Sequence, residues 1–297
     1  IMKTYFVVGA GRSGINAAKM LLAPNENVIL YDGNENFDVS AAKEKIGCDC
    51  VDFVLGNFAD FDFSKIDICV VSPGVSLETP VMKAVAEHGI PIWGEVELAY
   101  RHDKGTVIGI TGTNGKTTTT SLTYEIVKSF KEKTLLVGNI EIPYTGYALQ
   151  SNESSVTVAE ISSFQLETMV DFKPHISAIL NITPDHLDRH KTLENYIAIK
   201  ESITKNQNKN DFCVLNYNDP VLRRFGEELK CKVIFFSAYD ELESGVFLHG
   251  DTIIISENGV QTPVCKTDET SLVGLHNYEN IMAAVAMTHA LGVPLEI

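Results

Sequence analysis

The run Thr111-Gly112-Thr113-Asn114-Gly115-Lys116-Thr117-Thr118 constrains this chain more than any other feature. It follows the apolar stretch Thr106–Ile110 and opens a helical pattern over Lys116–Lys128. Strand, glycine-rich loop, Lys-Thr and helix therefore occur in the order that phosphate binding requires. The glycines let backbone amides turn toward phosphate oxygens, and the helix N-terminus adds positive potential. Lys116 can reach the terminal phosphates and the Thr117 hydroxyl can ligate Mg²⁺. ATP is the expected ligand, cradled by Gly112, Thr113, Asn114, Gly115, Lys116, Thr117 and Thr118. The match is a variant: the standard pattern has glycine where this chain has Ile110, and glycine stands instead at 109 and 112. The bland alternative is a glycine-rich turn with a surface lysine.

Around this loop, short β-rich runs alternate with helical stretches. Tyr5–Val8, Val28–Tyr31, Val51–Leu55, Ile66–Val71 and Ile90–Trp93 read as strands, with helices over Gly14–Leu22, Pro80–His88 and Glu95–Arg101. A second series begins at Thr106 and continues through Thr134–Val137, Val156–Ile161, Ile176–Ile182, Phe212–Leu215, Val233–Phe236 and Thr252–Ile255. Further helices fit Leu193–Thr204, Pro220–Leu229 and Asn277–Leu291. Such alternation predicts α/β architecture with parallel βαβ units. Residues 1–104 are expected to form an N-terminal Rossmann-like parallel-sheet domain, and residues 105–297 a P-loop-type α/β ATP-binding central domain. No internal repeat appears. Ile1 ahead of Met2, and the stop at Ile297 directly after an apolar helix, look like fragment edges.

A second glycine loop, Gly9-Ala10-Gly11-Arg12-Ser13-Gly14, follows the first strand, and Asp32 ends the next strand 18 residues after Gly14. That is the spacing of a dinucleotide fingerprint, in which the acidic residue bonds a ribose hydroxyl. The loop could hold NAD, or a different nucleotide-bearing substrate that ATP at the other loop activates. Arg12 and Ser13 add donors where a diphosphate would lie. The turn Ser72-Pro73-Gly74-Val75 ends the fourth strand at the same carboxyl edge, although a plain strand-ending turn would look alike.

Composition excludes several classes of function. The net charge is −15, with acidic side chains outnumbering basic ones on both sides of residue 104. Nucleic acid, which is bound largely through clustered Lys and Arg, is not an expected partner. No stretch approaches the roughly 18 apolar residues that span a membrane, so no membrane association is expected. The N-terminal residues lack a signal-peptide pattern, and a cytoplasmic location is expected. Six cysteines without paired metal spacing are read as free thiols, Cys69 as a small buried hydrophobe.

Carboxylates and a histidine gather at two later strand ends. Glu160 closes Val156-Thr157-Val158-Ala159 and leads into Ile161-Ser162-Ser163-Phe164-Gln165-Leu166-Glu167. Asp185, His186 and Asp188 follow the run Ile179–Ile182. A carboxylate at a strand end of a P-loop domain is where a Mg²⁺ ligand is expected, while His186 could equally cap the next helix. Lys200 has the look of an ordinary helical lysine.

Together GxGxSG, SPGV, TGTNGKTT, EISSFQLE, DHLDRH and Gly274-Leu275-His276-Asn277-Tyr278-Glu279-Asn280 resemble the Mur ligases, specifically the D-glutamate-adding type. EISSFQLE is the most discriminating element. The resemblance spans nearly the whole chain and implies a three-domain ligase of peptidoglycan synthesis whose C-terminal, amino-acid-binding domain is absent here. The substrates it implies are UDP-N-acetylmuramoyl-L-alanine, ATP and D-glutamate, joined through an acyl phosphate. By resemblance, Lys116, Glu160, His186 and Lys200 are catalytic. Thr117, Glu160, His186 and Lys200, the last as its carbamate, would serve two Mg²⁺ ions. Asn277 and Asn280 would approach the adenine. Gly11, Arg12, Ser13, Asp32, Ser72, Pro73 and Gly74 would hold the UDP group, and Asn139 and Ser162 would face the muramoyl portion. A monomer is expected. One departure is Glu141, where the family usually has glycine after Gly138-Asn139-Ile140.

The rival readings are a folylpolyglutamate synthase-like ligase, an NAD-binding oxidoreductase and an inert nucleotide-binding regulator. The first normally lacks a separate Rossmann-like N-terminal domain. The second would bind NAD at Gly9–Gly14 and Asp32.

Overall fold

A computed structural model describes residues 2–297 and has two compact units. The first comprises the chain up to Asp103 together with Glu141–Gln150 and Glu167–Phe172. The second comprises Lys104–Ile140, Ser151–Leu166 and Lys173–Ile297. Two segments from beyond residue 105 thus fold with the N-terminal sequence. Ile1 lies outside the described residues.

The first unit runs β1 (Thr4–Val8), α1 (Arg12–Leu22), β2 (Asn27–Asp32), α2 (Val39–Ile46), β3 (Asp52–Leu55), β4 (Ile68–Val71), α3 (Pro80–Glu87), β5 (Ile92–Gly94) and α4 (Glu95–Tyr100). Its sheet has the order β3-β2-β1-β4-β5, with every pairing parallel. Strand order reverses at β1, which places the first glycine loop at the crevice where ligands of such sheets bind. The strands are apolar because helices cover both faces. Phe6, Val8, Cys69, Val71, Met82 and Val85 are buried in one cluster. Local chemistry sets the helix ends: Asp38 accepts the Ala41 amide at 2.9 Å to cap α2, and Pro80 takes the first position of α3.

The second unit runs β6 (Thr106–Thr111), α5 (Lys116–Phe130), β7 (Thr134–Gly138), β8 (Val156–Glu160), α6 (Ser163–Leu166), β9 (Ile176–Ile179), α7 (Leu187–His190), α8 (Leu193–Glu201), β10 (Phe212–Asn216), α9 (Pro220–Glu228), β11 (Lys232–Ser237), β12 (Gly245–His249), β13 (Thr252–Glu257), β14 (Val260–Lys266) and α10 (Leu275–Ala290). The sheet order is β14-β13-β12-β11-β10-β9-β6-β8-β7. Pairings from β7 to β12 are parallel, and β12-β13-β14 is an antiparallel meander. Residues 280–288 of α10 are all buried, as befits a helix that is apolar all round.

The expected α/β class is borne out, with local differences. The strand expected at Ile66 starts at Ile68, because Phe63–Lys65 form a 3₁₀ turn that Ile66 closes by donating to the Phe63 carbonyl. The helix expected through Thr204 ends as α8 at Glu201 and tightens into a 3₁₀ turn. The strands β12 and β14 and the helix α2 were not expected. Pro263 lies within β14, and the register there skips Val264, which is how a proline is accommodated in an edge strand. The reading of six free thiols is corrected at Cys48 and Cys50. They stand two residues apart in the turn after α2, with Cα atoms 5.3 Å apart, and are joined as a disulfide. Cys69 is buried as expected, and burial pushes its thiol pKa up. Among the described residues, no helix is long and apolar enough to cross a membrane.

Candidate functional site

The phosphate loop spans from the end of β6 to the start of α5 and is stitched to the chain beyond β9. Thr113 N donates to the Asn181 carbonyl (3.0 Å), Asn114 N to Asn181 Oδ1 (2.8 Å), and Asn181 Nδ2 returns a bond to the Asn114 carbonyl (3.1 Å). Thr183 N donates to Thr113 Oγ1 (3.0 Å), which also meets the Tyr196 hydroxyl at 3.0 Å. Gly115 has φ +83°, and a Cβ there would lie 2.3 Å from Asn280 Oδ1, so this position needs glycine twice over. Thr117 is exposed at the start of α5.

Two lysines converge on this loop. Lys116 Nζ donates to the carbonyls of Gly112 (2.9 Å) and Thr113 (2.8 Å). Burial lowers its pKa, while Glu160 and Asp185 pull it back up. Lys200, 1% exposed, donates from α8 to Gly112 O (2.8 Å) and Thr111 Oγ1 (3.1 Å). Burial, reinforced by the charge of Lys116 and opposed by Asp185 and Glu160, brings its pKa down to about 7. Lys200 is therefore not the solvated helical lysine that its sequence context implied.

Glu160 ends β8 beside the end of β7. Asn139 donates to it twice, from its amide to the backbone oxygen (2.9 Å) and from Nδ2 to Oε1 (2.8 Å). The approach is possible because Gly138 carries no side chain: a Cβ there would lie 2.1 Å from the Glu160 carbonyl oxygen. Glu160 is 1% exposed, and its Oε2 has no hydrogen-bond partner. A buried carboxylate oxygen without a donor is costly unless a cation completes it. A carboxylate oxygen of this kind, like the hydroxyl of a threonine, is a hard-oxygen donor of the type magnesium takes.

His186 has φ +50° and precedes α7 as its N-terminal flanking residue, but its side chain caps nothing. Its Nε2 lies 3.5 Å from Asp185 Oδ2, and its ring is 4.9 Å from that of Phe164. Asp188 is exposed, and among the described residues no three His, Cys, Asp or Glu side chains converge as a ready-made metal cluster. Ser162 is held through its amide (2.9 Å) and hydroxyl (3.1 Å) by Gln165 Oε1. Asn280 accepts from Thr119 Oγ1 at 3.2 Å, and its Nδ2 lies 3.4 Å from Asn277 Oδ1. The pair that resemblance assigns to adenine thus runs along α10 to the phosphate loop.

In the first unit the three loop glycines divide their roles. Gly9 turns the chain at φ +96°, Gly11 has open space where a Cβ would be, and a Cβ on Gly14 would lie 1.8 Å from the Gly9 carbonyl oxygen. These are the duties of a tight turn, an open approach for a ligand, and close packing. Asp32 Oδ2 accepts the Ala10 amide (2.9 Å), and Ser72 Oγ donates to Gly9 O (3.1 Å), so both brace the loop. Pro73 and Gly74 continue the turn after β4.

Sequence reading missed Asn181, Thr183, Tyr196 and Gln165 as organisers of these loops. Asn181 and Thr183 lie in the strand-end run it flagged. Tyr196 gave no local signal.

With this geometry established, comparison with known proteins identifies the family. Residues 110–288 match the Mur ligase middle domain, and residues 3–94 the Mur ligase MurD-like N-terminal domain. A UDP-N-acetylmuramoylalanine–D-glutamate ligase of Lachnospira eligens is 48% identical over 99% of this chain, which spans 66% of that protein's length. Among solved structures, a UDP-N-acetylmuramate:L-alanyl-gamma-D-glutamyl-meso-diaminopimelate ligase from Neisseria meningitides shares the fold. Its TM-score is 0.64 at 19% identity, covering 99% of this chain and 95% of that one. A MurF ligase from Thermotoga maritima, solved in complex with ADP, aligns with a TM-score of 0.53 at 16% identity, covering 98% of this chain and 64% of that one. The chain belongs to the Mur ligase family, carrying the family's middle domain behind a MurD-like N-terminal domain.

Proposed function

We propose that this chain is the nucleotide-binding part of a cytoplasmic, monomeric ligase that joins D-glutamate to UDP-N-acetylmuramoyl-L-alanine in peptidoglycan synthesis. The observation that carries the reading is the convergence of Lys116, buried Lys200 and the donor-free Oε2 of Glu160 at one strand edge. The curated relative's name supplies the substrates. Residues 1–104 would hold the UDP group through Gly11, Arg12, Ser13, Asp32, Ser72, Pro73 and Gly74. Residues 105–297 would hold ATP, with Asn277 and Asn280 toward the adenine and Asn139 and Ser162 toward the muramoyl substrate.

In this reading the alanyl carboxylate attacks the γ-phosphorus of ATP, the bond to the β–γ bridging oxygen breaks, and acyl phosphate and ADP result. The D-glutamate amine then adds to the acyl carbon, loses a proton, and expels phosphate. Lys116 would exchange its two loop carbonyls for phosphate oxygens and offset charge between two anions. Thr117, Glu160, His186 and Lys200 would hold two magnesium ions, which supply further charge neutralisation when bound. The neutral form of the Lys200 amine, which burial favours, can add CO₂ and release a proton, and the carbamate formed is an anionic oxygen ligand where an ammonium would repel the metal.

The test is phosphate release by the full-length enzyme with both substrates and ATP. Release should require the UDP compound and vanish in Lys116→Ala. Undiminished release in that variant would refute the assignment. Calorimetric titration of this chain with the UDP compound and with NAD separates the ligase from the oxidoreductase reading.

A further inference from the structure

Glu141 carries a side chain on a backbone that takes a conformation suited to glycine. Its φ is +65°, in the left-handed region that a glutamate seldom adopts without outside support. That support comes from α1. Arg12 Nη1 donates to the Glu141 carbonyl oxygen at 2.8 Å. Arg12 is itself fixed at the start of the helix, its own carbonyl accepting Asn16 Nδ2 at 2.8 Å.

The chain on both sides of Glu141 is anchored. Downstream, buried Glu95 accepts from Thr145 N (2.7 Å) and Oγ1 (3.0 Å), and the fully buried Tyr144 donates its hydroxyl to Asp103 Oδ2 at 2.7 Å. Upstream, Asn139 is bonded twice to Glu160. Between these anchors, the side chain that reaches the strained residue is Arg12.

We infer that Arg12 is a positioning residue for the Asn139 loop, acting as a latch on the left-handed backbone of Glu141. The inference rests on the reading that Asn139 faces the UDP substrate. It differs from a simple diphosphate-ligand role for Arg12, because the latch depends on which residue stands at 141. With glutamate there, losing the guanidinium lets φ relax to negative values and carries the loop with it. With glycine, positive φ needs no support, and Arg12 becomes dispensable to the loop.

The experiment is a cycle of wild type, Arg12→Ala, Glu141→Gly and the double variant. Hydrogen exchange across residues 138–146 is read by mass spectrometry, and binding of UDP-N-acetylmuramoyl-L-alanine by calorimetry. Arg12→Ala should speed exchange in this segment and weaken binding by about tenfold, the scale of one lost charge-assisted hydrogen bond. In the Glu141→Gly background the same change should alter exchange by no more than about threefold, and any loss of affinity that remains there belongs to the direct contact of Arg12 with the UDP group. Arg12→Lys, which keeps a donor, should fall between. Unchanged exchange in Arg12→Ala overturns the latch, and so does an equal acceleration of exchange in both backgrounds. If wild type binds no UDP compound, the reading of the first loop fails, and the exchange data alone decide the latch.

Discussion

Lys200 Nζ lies 2.8 Å from the carbonyl oxygen of Gly112, so a buried lysine of α8 helps hold the phosphate loop against its own sheet. Its pKa falls from 10.5 to about 7 on folding. Between those values the unfolded chain binds the extra proton and the folded one does not, so stability rises with pH across that window and is lowest below it. The slope from this one group is at most about 1.4 kcal/mol per pH unit. Urea unfolding in CO₂-free buffer should show wild type gaining stability between roughly pH 7 and pH 9, and Lys200→Met should lack most of that gain. Equal pH dependence in the two proteins would mean that Lys200 stays charged in the fold.

Glu97 makes a different use of burial. Its fully buried carboxylate accepts from the amides of Val170 (3.0 Å), Asp171 (3.0 Å) and Phe172 (2.9 Å) and from Arg101 Nε (2.8 Å). Arg101 also pairs with Asp171 and lies 4.1 Å from the centroid of the Trp93 ring. Glu97→Gln would turn an amide NH₂ toward N–H donors and leave Arg101 without its buried partner. A loss of about 3 kcal/mol is expected from denaturant unfolding, with earlier proteolysis near residues 167–172. A loss below about 1 kcal/mol would mean that the segment is held mainly by apolar contacts.

Both loops were legible because each is a local pattern: glycines at set spacings between a strand and a helix. The parallel strands were legible as apolar runs, since burial on both faces leaves no alternation to misread. What escaped has long sequence separation or weak local preference. Asn280 reaches Thr119 across 161 residues, and Glu97 reaches Phe172 across 75. No window of sequence contains either pair. The strand β14 was hidden by Pro263, and the Cys48–Cys50 disulfide by a reading that treats cysteines without paired spacing as thiols. Lys200 escaped because its burial comes from the loop above it, and α8 has no strong apolar face to advertise that its lysine points inward.

Lys116 tests the second loop. Its two bonds to loop carbonyls would be given up for phosphate oxygens, and the net gain should be that of one or two charge-assisted hydrogen bonds. Lys116→Met should weaken ATP binding by about 10- to 100-fold in calorimetry with magnesium present. The melting temperature without nucleotide should change little, because the lysine now satisfies only carbonyls of its own loop. Undiminished ATP affinity would leave the loop as a glycine turn with an incidental lysine.

The first loop offers a sharper contrast, because two of its glycines have opposite surroundings. A Cβ on Gly14 would meet the Gly9 carbonyl oxygen at 1.8 Å, and rigid backbone cannot retreat from that clash, whereas a Cβ on Gly11 meets nothing within 4 Å. Gly14→Ala should therefore destabilise the first unit by about 2 kcal/mol or more, read as a lower denaturation midpoint. Gly11→Ala should leave that midpoint within about 0.5 kcal/mol of wild type. Binding should not track this order. Open space at Gly11 is what a diphosphate needs to approach the backbone, so Gly11→Ala should lose affinity for the UDP compound while remaining folded. A stable Gly11→Ala protein with full affinity would place the ligand elsewhere on the sheet edge and would leave Gly11 as a spacer in the turn.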